Sequence, residues 1–360
     1  MKNTRVVVGM SGGVDSSVAA YLLTKAGYEV IGITMQIWPK DSPKEESESC
    51  CGLTAVEDAR RVCQKIGIPH YTINFRDEFQ QHVIDYFLSE YKQGRTPNPC
   101  IACNHYVKWE SLLQKALQID AEYIATGHYA RIVKAPETGR YLLKKAATLA
   151  KDQTYALYTL TQYQLAHTLM PVGDYTKEEV REIAEHIGLA VATKPDSQEI
   201  CFIPDHDYGK YIEENMTSPS PPGNFVDKNG KILGRHKGII HYTIGQRKGL
   251  GIAAGRPLYV IAIRPATNEV VLGDNEEVFQ SKVYADQLNF MPFEKLESSM
   301  QVTAKIRYSH TPAPCTIRMI NDSTLLCTFD QPQRAITPGQ ALVIYDGDLV
   351  VGGGTIIKGE

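Results

Sequence analysis

The first 130 residues alternate short apolar runs with stretches in which apolar residues recur every three or four positions. The apolar runs have the β-branched and aromatic composition of buried strands. They are 5–8, "YEVIGITMQI", "HYTINF" and "EYIATGH". The stretches between them predict helices over 16–25, 53–66, 77–91 and about 107–117. Such alternation predicts a doubly wound parallel sheet, with ligands at the carboxyl ends of its strands.

The pattern changes in the second half of the chain. Helical spacing continues over 153–168 and 177–186, and the segment "NMTSPSPPGNFVDKNG" then has the composition of a linker. After Gly230 the apolar positions alternate, which predicts a hairpin followed by further strands. These runs are "PLYVIAIRPATNEVVLGD", "QVTAKIRYS", "APCTIRMI", "STLLCTFD" and "QALVIYDGDLVVGGGTI". The predicted fold is α/β plus all-β: a parallel sheet with a helical extension, a small central β module and a C-terminal β-barrel.

Length and charge narrow this picture only slightly. A chain of 360 residues is long enough for more than one domain. With 38 Lys and Arg against 41 Asp and Glu, the net charge of −3 does not mark a nucleic-acid-binding protein, although a local basic face fits a neutral total. Neither a membrane-spanning apolar run nor a signal sequence is recognisable, so we expect a cytoplasmic protein with no membrane association.

The segment Ser11-Gly12-Gly13-Val14-Asp15-Ser16 lies between the first predicted strand and helix. Adjacent glycines let backbone amides approach an anion, and a helix N-terminus adds positive partial charge. The segment lacks the lysine of a Walker loop and the spacing of a dinucleotide fingerprint. A tight turn with a serine cap would also use these residues. The whole hexamer, however, resembles the loop of the ATP pyrophosphatases, which split ATP to AMP and pyrophosphate and so adenylate a substrate oxygen.

Eight cysteines are too few for a disulfide scaffold in a chain of this length, so their positions matter more than their number. Cys100 and Cys103 form a Cys-x-x-Cys near a predicted helix start, where a thiol pKa is lowered and nucleophilicity increases. Cys201 lies near Asp196 and Gln198 in "KPDSQEICFIP". Cys-x-x-Cys is also half of a zinc site, but no second pair at finger spacing follows.

The remaining cysteines have simpler interpretations. Cys63 falls in a predicted helix, and Cys315 and Cys327 fall in predicted strands, where cysteine usually packs as a small apolar residue. Cys50 and Cys51 follow the acidic run "KDSPKEESES", and we expect them to be incidental.

A series of motifs resembles the bacterial tRNA 2-thiouridylases, the MnmA/TrmU family of the ATP pyrophosphatase superfamily, along almost the whole chain. The motifs are "MSGGVDSSVAAYLL", "GRTPNPCIACN", "ATGHYAR", "KDQTYALYTL", "KPDSQEICFIP", "HYTIGQRKGLGI", "KIRYSH" and "TPGQALVIYDGD". The resemblance implies three domains: an ATP-pyrophosphatase domain with a helical tRNA-binding extension over 1–205, a central β module over 206–275, and a β-barrel over 276–360.

The resemblance also implies a reaction, tRNA-uridine 2-sulfurtransfer. ATP adenylates O2 of the wobble uridine, and a cysteine persulfide then supplies sulfur to form 2-thiouridine. By analogy Cys201 carries the persulfide and Cys103 is the nucleophile that releases the sulfur, which leaves a transient Cys103–Cys201 disulfide. The implied partners are tRNA, ATP with Mg²⁺, and a persulfide donor such as a cysteine desulfurase or a sulfur-relay protein.

Further residues are assigned through the same motifs. The family pattern implies contacts with ATP by Gly9, Met10, Ser11, Gly12, Gly13, Val14, Asp15, Ser16, Met35 and Gly127. It implies contacts with the target base or tRNA by Asn98, Pro99, Cys100, His128, Lys151, Asp152, Gln153, Arg307, Tyr308 and Gln340. Mg²⁺ binds mostly to phosphate oxygens and water, with Asp15 and Ser16 as the nearest protein candidates. Without the family, Met35 would be a core residue, His128 a loop histidine and Lys151 a solvated charge.

One position departs from the family pattern, because many members carry aspartate where this chain has Cys100. The change opens a second route, in which Cys100, Cys103 and Cys201 hold an iron–sulfur cluster. We favour the persulfide route. Two rival functions also fit parts of the sequence: an ATP pyrophosphatase that acts on a small molecule, and a non-enzymatic RNA-binding or redox module.

Overall fold

The computed structural model describes residues 4–38, 53–196, 200–203, 207–216 and 218–360. The chain forms two compact units. The first comprises Met1–Val83, Cys100–His206 and Asp348–Val350, and the second comprises Ile84–Pro99, Asp207–Gly347 and Val351–Glu360. Cys50, Cys51, Gln198 and the predicted domain boundary at 205/206 lie outside the described residues.

The first unit contains the predicted parallel sheet. Its strands are β1 (Arg5–Gly9), β2 (Glu29–Gln36), β3 (His70–Asn74), β4 (Tyr123–Ala125), β5 (Ala130–Lys134), β6 (Tyr141–Lys145) and β7 (Thr168–Leu169). Five of them form a parallel sheet in the order β3-β2-β1-β4-β7. The doubly wound sheet is therefore confirmed. The short edge strand β7 and the antiparallel β5–β6 hairpin were not predicted from the sequence.

Helices pack around this sheet. The α-helices between residues 14 and 186 are Val14–Lys25, Leu53–Ile66, Arg76–Phe79, Asp85–Lys92, Pro99–Ala102, Leu113–Gln118, Gln162–Ala166 and Lys177–His186. Two π-helical stretches, Gln80–Ile84 and Cys103–Leu112, join neighbouring α-helices, and Leu149–Lys151 and Thr154–Leu157 are 3₁₀-helical. No helix in the described parts of the chain is both long and apolar enough to span a membrane.

Two predicted helices were wrong in their extent. The helix expected over about 107–117 instead begins at Pro99. The single helix expected over 153–168 is broken, because Thr161 starts a new helix at Gln162. The Thr161 side chain accepts a hydrogen bond from the Gln164 amide, and the Gln164 side chain accepts one from the Thr161 amide. This reciprocal capping box ends any continuous helical path through the segment.

The core of the first unit lies between the sheet and its helices. Val6 and Val8 of β1 pack with Val18 and Leu23 of the following helix, and with Val180 of the helix Lys177–His186. All five side chains are buried. Burial of valine and leucine in this way supplies most of the stability of such an α/β layer and fixes the loop that follows β1.

The second unit is mostly β. Its strands are β8 (Gly223–Val226), β9 (Ile232–His236), β10 (Tyr259–Arg264), β11 (Glu269–Gly273), β12 (Phe279–Phe290), β13 (Met300–Lys305), β14 (Ala313–Met319), β15 (Leu325–Arg334), β16 (Ala341–Asp346) and β17 (Leu349–Gly359). An α-helix covers Tyr208–Asn215, and 3₁₀-helices cover Ile239–His241, Pro265–Thr267 and Asn275–Val278.

These strands form a small sheet and a barrel, as predicted. The sheet has the order β10-β11-β8-β9, and the barrel has the order β12-β15-β14-β13-β16-β17, with β17 pairing back to β12. The predicted linker was partly wrong, because it contains β8. Strand β8 forms because Asn224 pairs with Glu269 of β11 and with Arg235 of β9, two partners that the local sequence does not reveal.

Candidate active site

The glycine-rich loop lies where the sheet changes its winding direction. Strand β1 has β2 on one side and β4 on the other. The loop follows Gly9 at the end of β1, and Gly127 follows the end of β4. In sheets of this kind the crevice between two such strands is where ligands bind.

The loop has a conformation that depends on glycine. Gly12 has φ of +69°, and a Cβ there would lie 2.4 Å from the carbonyl oxygen of Ala55. Gly13 is the N-cap residue of the helix Val14–Lys25, and it offers no side chain to the first-turn amides. The Ser16 hydroxyl accepts a hydrogen bond from the Ser11 amide at 3.2 Å and donates one to the Gly13 carbonyl at 3.2 Å. The result is a fixed turn at a positively polarised helix end, which suits a phosphate group.

Gly127 lies directly against this helix end. A Cβ at position 127 would be 2.5 Å from the Ser16 amide nitrogen and 2.8 Å from the Asp15 Cβ. Met10 is buried in the turn after β1, where its amide donates to Ile33. Met35 is the second-to-last residue of β2 and is partly buried.

Asp15 is held by two side chains that come from distant parts of the sequence. Lys177 Nζ lies 2.7 and 2.9 Å from Asp15 Oδ1 and Oδ2, and the Tyr129 hydroxyl donates to Oδ1 at 2.7 Å. Burial and the neighbouring Asp15 carboxylate raise the pKa of Tyr129, so its hydroxyl stays protonated and able to donate.

The same lysine also contacts Asp196. Lys177 Nζ lies 2.6 Å from Asp196 Oδ1, and Lys151 Nζ lies 2.8 Å from Asp196 Oδ2. Burial raises the pKa of Asp196, but the hydrogen bonds from Lys151 and Lys177 outweigh this effect and hold the pKa below its usual value. The ionised Asp196 carboxylate, which precedes Cys201 by five positions, thus contacts both Lys151 and the helix Lys177–His186.

A third lysine contacts the loop itself. Lys194 Nζ donates to the Gly12 carbonyl at 3.1 Å and to Asp58 Oδ2 at 2.7 Å. No local signal in the sequence marks Lys177, whereas Tyr129 falls within the "ATGHYAR" motif. Lys194 and Asp196 do fall within or beside the "KPDSQEICFIP" motif, which is the one signal that could have identified them.

The described residues do not group the three candidate cysteines as a metal site. Both oxygens of Asp15 lie within hydrogen-bond distance of Lys177 Nζ. Within the described ranges, no three or more His, Cys, Asp or Glu side chains are grouped to hold a metal, and this includes Cys100, Cys103 and Cys201. The described residues therefore do not fit a three-cysteine cluster, and we derive no reaction step through one.

Cys103 and Cys201 are carried by segments that flank one short helix. Phe202 packs edge-to-face on Phe79, with ring centroids 5.7 Å apart. The helix Arg76–Phe79, which ends at Phe79, also contacts the π-helical segment Cys103–Leu112. Cys103 and Cys201 are partly buried thiols, and Cys100 is an exposed one.

The π-helical segment that begins at Cys103 is anchored by its second residue. Asn104 Nδ2 donates to the Ala156 carbonyl at 2.9 Å, and Asn104 Oδ1 accepts from Lys108 Nζ at 2.8 Å. Asn104 is buried. Irregular helical segments of this kind are often found at functional sites, because they redirect side chains.

His128 lies in the loop after β4 and is partly buried. Its Nδ1 lies 2.7 Å from Thr126 Oγ1, and its ring lies 5.5 Å from the Trp109 ring. Burial, and then the positive charge of Lys108, hold the pKa of His128 well below its usual value. The imidazole is therefore neutral near pH 7.

Asp152 and Gln153, which we expected to contact tRNA, make hydrogen bonds within the protein. Asp152 accepts from the Ala146 amide at 3.1 Å and from the Thr154 hydroxyl at 2.6 Å. Gln153 Oε1 accepts from the Tyr129 amide at 2.9 Å. These bonds fix the turn that carries Lys151 beside Asp196.

In the second unit, Gln340 fixes the segment that precedes Asn98 and Pro99. Its Nε2 donates to the Thr96 and Pro97 carbonyls at 2.9 and 3.3 Å, and the Thr96 amide donates to Pro338. Arg95 adds an ion pair with the buried Glu90.

Arg307 and Tyr308 lie in the turn after β13 rather than on a strand. Arg307 donates to the Arg334 carbonyl at 2.9 Å. Tyr308 is 48 % exposed, and the Lys305 ammonium lies over its ring. Of the residues in the second unit expected to contact tRNA, Tyr308 thus offers an accessible aromatic face.

Three family models match successive parts of the chain. Residues 4–205 match the family model "tRNA methyl transferase HUP domain", residues 210–274 match "tRNA methyl transferase PRC-barrel domain", and residues 280–356 match "Aminomethyltransferase beta-barrel domain". Among curated relatives, "tRNA-specific 2-thiouridylase MnmA" from Lachnoclostridium phytofermentans is 65% identical over 98% of this chain and 99% of the relative. The proteins of the same name from Clostridioides difficile and Acetivibrio thermocellus are 58% and 59% identical, again over 99% of this chain and 99% and 100% of the relatives.

The chain belongs to the tRNA-specific 2-thiouridylase family. The full-length relatives align along nearly the whole chain and so cover both of its compact units. Among solved structures, a 4-thiouridine synthetase in complex with RNA and bound ATP aligns at 16% identity and a TM-score of 0.35, over 55% of this chain and 45% of that one.

Proposed function

We propose that this protein is a tRNA-uridine 2-sulfurtransferase, which uses ATP to convert the wobble uridine of tRNA to 2-thiouridine. The names of its full-length relatives support this proposal. The structural observation that carries it is the position of Lys177. This ammonium lies within 2.7 Å of both Asp15, in the glycine loop, and Asp196, in the segment that leads to Cys201. One cation thus links the predicted site of ATP cleavage to the predicted carrier of sulfur.

The activation step uses the glycine loop. The triphosphate of ATP binds at the amides of Gly12 and Gly13 and at the start of the helix Val14–Lys25, with Mg²⁺ bound mainly through phosphate oxygens and water. The uracil O2 attacks the α-phosphorus, and pyrophosphate leaves. Neutral His128 and Gly127 border the nucleotide in this proposal, while Met10 and Met35 pack beneath it.

The sulfur step uses the two thiols. A donor persulfide transfers its outer sulfur to the Cys201 thiolate, and the donor leaves as a thiolate. The terminal sulfur of the Cys201 persulfide attacks C2 of the adenylated uracil, and AMP leaves with the former O2. The Cys103 thiolate then attacks the Cys201 sulfur, which releases 2-thiouridine and leaves a Cys103–Cys201 disulfide. An external thiol reduces that disulfide before the next cycle.

Other residues are assigned to the target base and to the tRNA. The target base must leave its stack to reach C2, and we assign Asn98, Pro99 and Cys100 to the space that receives it. Lys151 and the exposed Tyr308 are suited to contact tRNA through charge and stacking. Asp152 and Gln153 hold the turn that carries Lys151, Arg307 holds the turn that carries Tyr308, and Gln340 holds the segment before Asn98. A cytoplasmic location and a persulfide donor complete the proposal. The matched family models support its division into domains over 1–205, 206–275 and 276–360.

A thiolation assay tests the proposal. Unmodified tRNA with a wobble uridine is incubated with ATP, Mg²⁺ and glutathione persulfide, and 2-thiouridine is detected by retardation in a mercury-containing gel. Cys201→Ser and Cys103→Ser should each reduce thiolation at least a hundredfold, whereas Cys327→Ser, in the barrel core, should leave it nearly unchanged. Absence of a retarded band with the native protein would reject the proposed reaction.

The same assay separates the competing functions. A methyltransferase, as the family-model descriptions would suggest, gives a product without sulfur and consumes no ATP. A pyrophosphatase that acts on a small molecule would release AMP without tRNA and would tolerate Cys103→Ser. A non-enzymatic module would consume no ATP under any of these conditions.

A further inference from the structure

The Lys177 ammonium is enclosed by groups of opposite charge. Its side chain is only 7% exposed, and its Nζ contacts Asp15 and Asp196 at distances of 2.9 Å or less. The Tyr129 ring lies 5.9 Å away on another side. A buried ammonium is stable only when carboxylates of this kind surround it.

We propose that Lys177 is a positioning residue that holds Asp196 beside the glycine loop and thereby keeps Cys201, five positions later in the chain, where each adenylated uridine receives sulfur before water reaches it. The inference rests on the proposed function. It adds a residue and a role that neither the glycine loop nor the cysteine motifs contain.

The carboxylates of Asp15 and Asp196 lie in different backbone settings. Asp15 lies in the first turn of a helix and receives a second hydrogen bond from Tyr129. Asp196 lies outside any helix or strand, and its other close contacts are the lysine at position 151 and the more distant Arg181. Without Lys177, two negative groups would face the same vacated point and repel each other. Asp196, which lies outside regular secondary structure, would therefore shift towards Lys151, and we expect Cys201, five positions later in the chain, to shift as well.

Loss of the Lys177 contacts should leave adenylation of uridine intact but should separate it from sulfur transfer. The loop keeps its shape through Gly12 and Ser16, so uridine is still adenylated. With Cys201 displaced, water attacks C2 instead, AMP leaves, and uridine is regenerated. ATP would then be consumed without formation of 2-thiouridine.

The test measures AMP and 2-thiouridine together in Lys177→Met, which keeps the side-chain length but removes the charge. With glutathione persulfide, the native protein should form about one AMP per 2-thiouridine, and the variant should form at least ten. Lys177→Arg, which retains the charge, should stay within threefold of the native ratio. Lys228→Met, which removes the surface pair with Glu277, serves as a control with the native ratio.

A second sulfur source separates displacement of Cys201 from damage to adenylation. Hydrosulfide, supplied as sodium hydrosulfide, can attack the adenylated C2 directly and then lose its proton as AMP leaves. Lys177→Met should therefore recover a ratio within threefold of the native protein under these conditions. A variant that stays uncoupled with hydrosulfide, or a ratio near one with glutathione persulfide, would overturn the proposal.

A further variant covers the case in which Lys177→Met does not fold. Asp196→Asn removes the same link from its other end, leaves Lys177 paired with Asp15, and should also raise the ratio at least fivefold. A folded Asp196→Asn protein with the native ratio would contradict the proposal. Failure of the native protein to thiolate tRNA with either sulfur source would instead reject the proposed function, and the inference with it.

Discussion

The Tyr129 hydroxyl donates a hydrogen bond to Asp15 Oδ1 over 2.7 Å, between residues that are 114 positions apart in the sequence. Tyr129 lies two residues after Gly127, which itself packs on Asp15. The loop after β4 is therefore joined to the glycine loop both by backbone packing and by a charge-assisted hydrogen bond.

Removal of this bond should weaken ATP binding. We expect Tyr129→Phe to raise the KM for ATP about five- to tenfold, because Asp15 keeps Lys177 but loses a bond worth about 1 to 2 kcal/mol. Steady-state kinetics with tRNA in excess measure the change. Tyr163→Phe, at an exposed tyrosine, is the matched control and should leave the KM unaltered. An unchanged KM in Tyr129→Phe would show that the bond has no role in nucleotide binding.

The glycine loop can be tested with two alanine substitutions at positive φ. Gly12 and Gly67 have φ of +69° and +77°, but only at Gly12 does a new Cβ meet the backbone of Ala55. Both variants should lose about 1 kcal/mol of stability from backbone strain. Gly12→Ala alone should lose ATP binding, at least a hundredfold by isothermal titration calorimetry. Equal affinities in the two variants would contradict the crowding argument.

Gln340 should act through the segment it holds rather than by direct contact. Gln340→Glu places a carboxylate against the Thr96 and Pro97 carbonyls, which accept hydrogen bonds but cannot donate them. We expect faster amide hydrogen exchange at residues 94–96 and a severalfold loss of thiolation. Gln301→Glu, on the exposed face of β13, should change neither quantity. Native exchange rates in Gln340→Glu would assign any loss of activity to tRNA contact instead.

Acidification should destabilise the second unit through His236. This side chain is 3% exposed; burial lowers its pKa, a hydrogen bond to the Asn268 carbonyl opposes that effect, and Arg235 and His241 lower it further. Because the unfolded chain binds a proton near pH 6.5 and the folded chain does so only at lower pH, stability falls as the pH drops below about 6.5.

The dependence of the unfolding free energy on pH can be measured. His236→Gln should remove up to about 1.4 kcal/mol per pH unit from the dependence of the unfolding free energy between pH 6.5 and 5. Urea unfolding at a series of pH values measures this dependence, and His186→Gln, at an exposed helix end, is the control. A slope identical to that of the native protein would show that His236 takes up no proton on unfolding.

The cysteines should differ widely in their rates of alkylation. Cys63 is buried in the helix Leu53–Ile66, and burial raises its pKa to about 12, so at pH 8 only about one thiol in ten thousand is ionised. Iodoacetamide should therefore label exposed Cys100 first, and should label Cys63, Cys315 and Cys327 only after unfolding in urea. Mass spectrometry of tryptic peptides measures the order. Rapid labelling of Cys63 in the native protein would contradict its burial.

The sequence predicted those features that depend on local pattern. Periodicity indicated the parallel sheet and most of its helices, and the adjacent glycines at 12 and 13 indicated the tight turn between β1 and the helix Val14–Lys25. Local pattern also placed Cys63, Cys315 and Cys327 in the core, where the structure has them. These predictions succeed because the residues that decide each feature are close together in the chain.

Features decided by distant pairs were missed. Lys177 lies 162 residues from Asp15, and nothing in the helix Lys177–His186 distinguishes its first residue from a solvated lysine. Strand β8 likewise depends on β9 and β11, and its Pro-rich approach resembles a linker. The break at Thr161 was visible in principle, because Thr161 and Gln164 have the spacing of a capping box, but the apolar periodicity around it favoured a longer helix.

The hydrogen bonds from Gln340 to Thr96 and Pro97 also have a consequence for synthesis of the chain on the ribosome. Gln340 and Thr96 are 244 residues apart, so at a typical rate of 5 to 20 residues per second the second partner appears about 12 to 50 s after the first. By the second half of that interval the nascent chain carries the glycine loop, Cys103 and Cys201, but the segment before Asn98 is unsupported. A message truncated before codon 340 would thus encode every reactive group of the enzyme but not the residue that fixes the segment before Asn98.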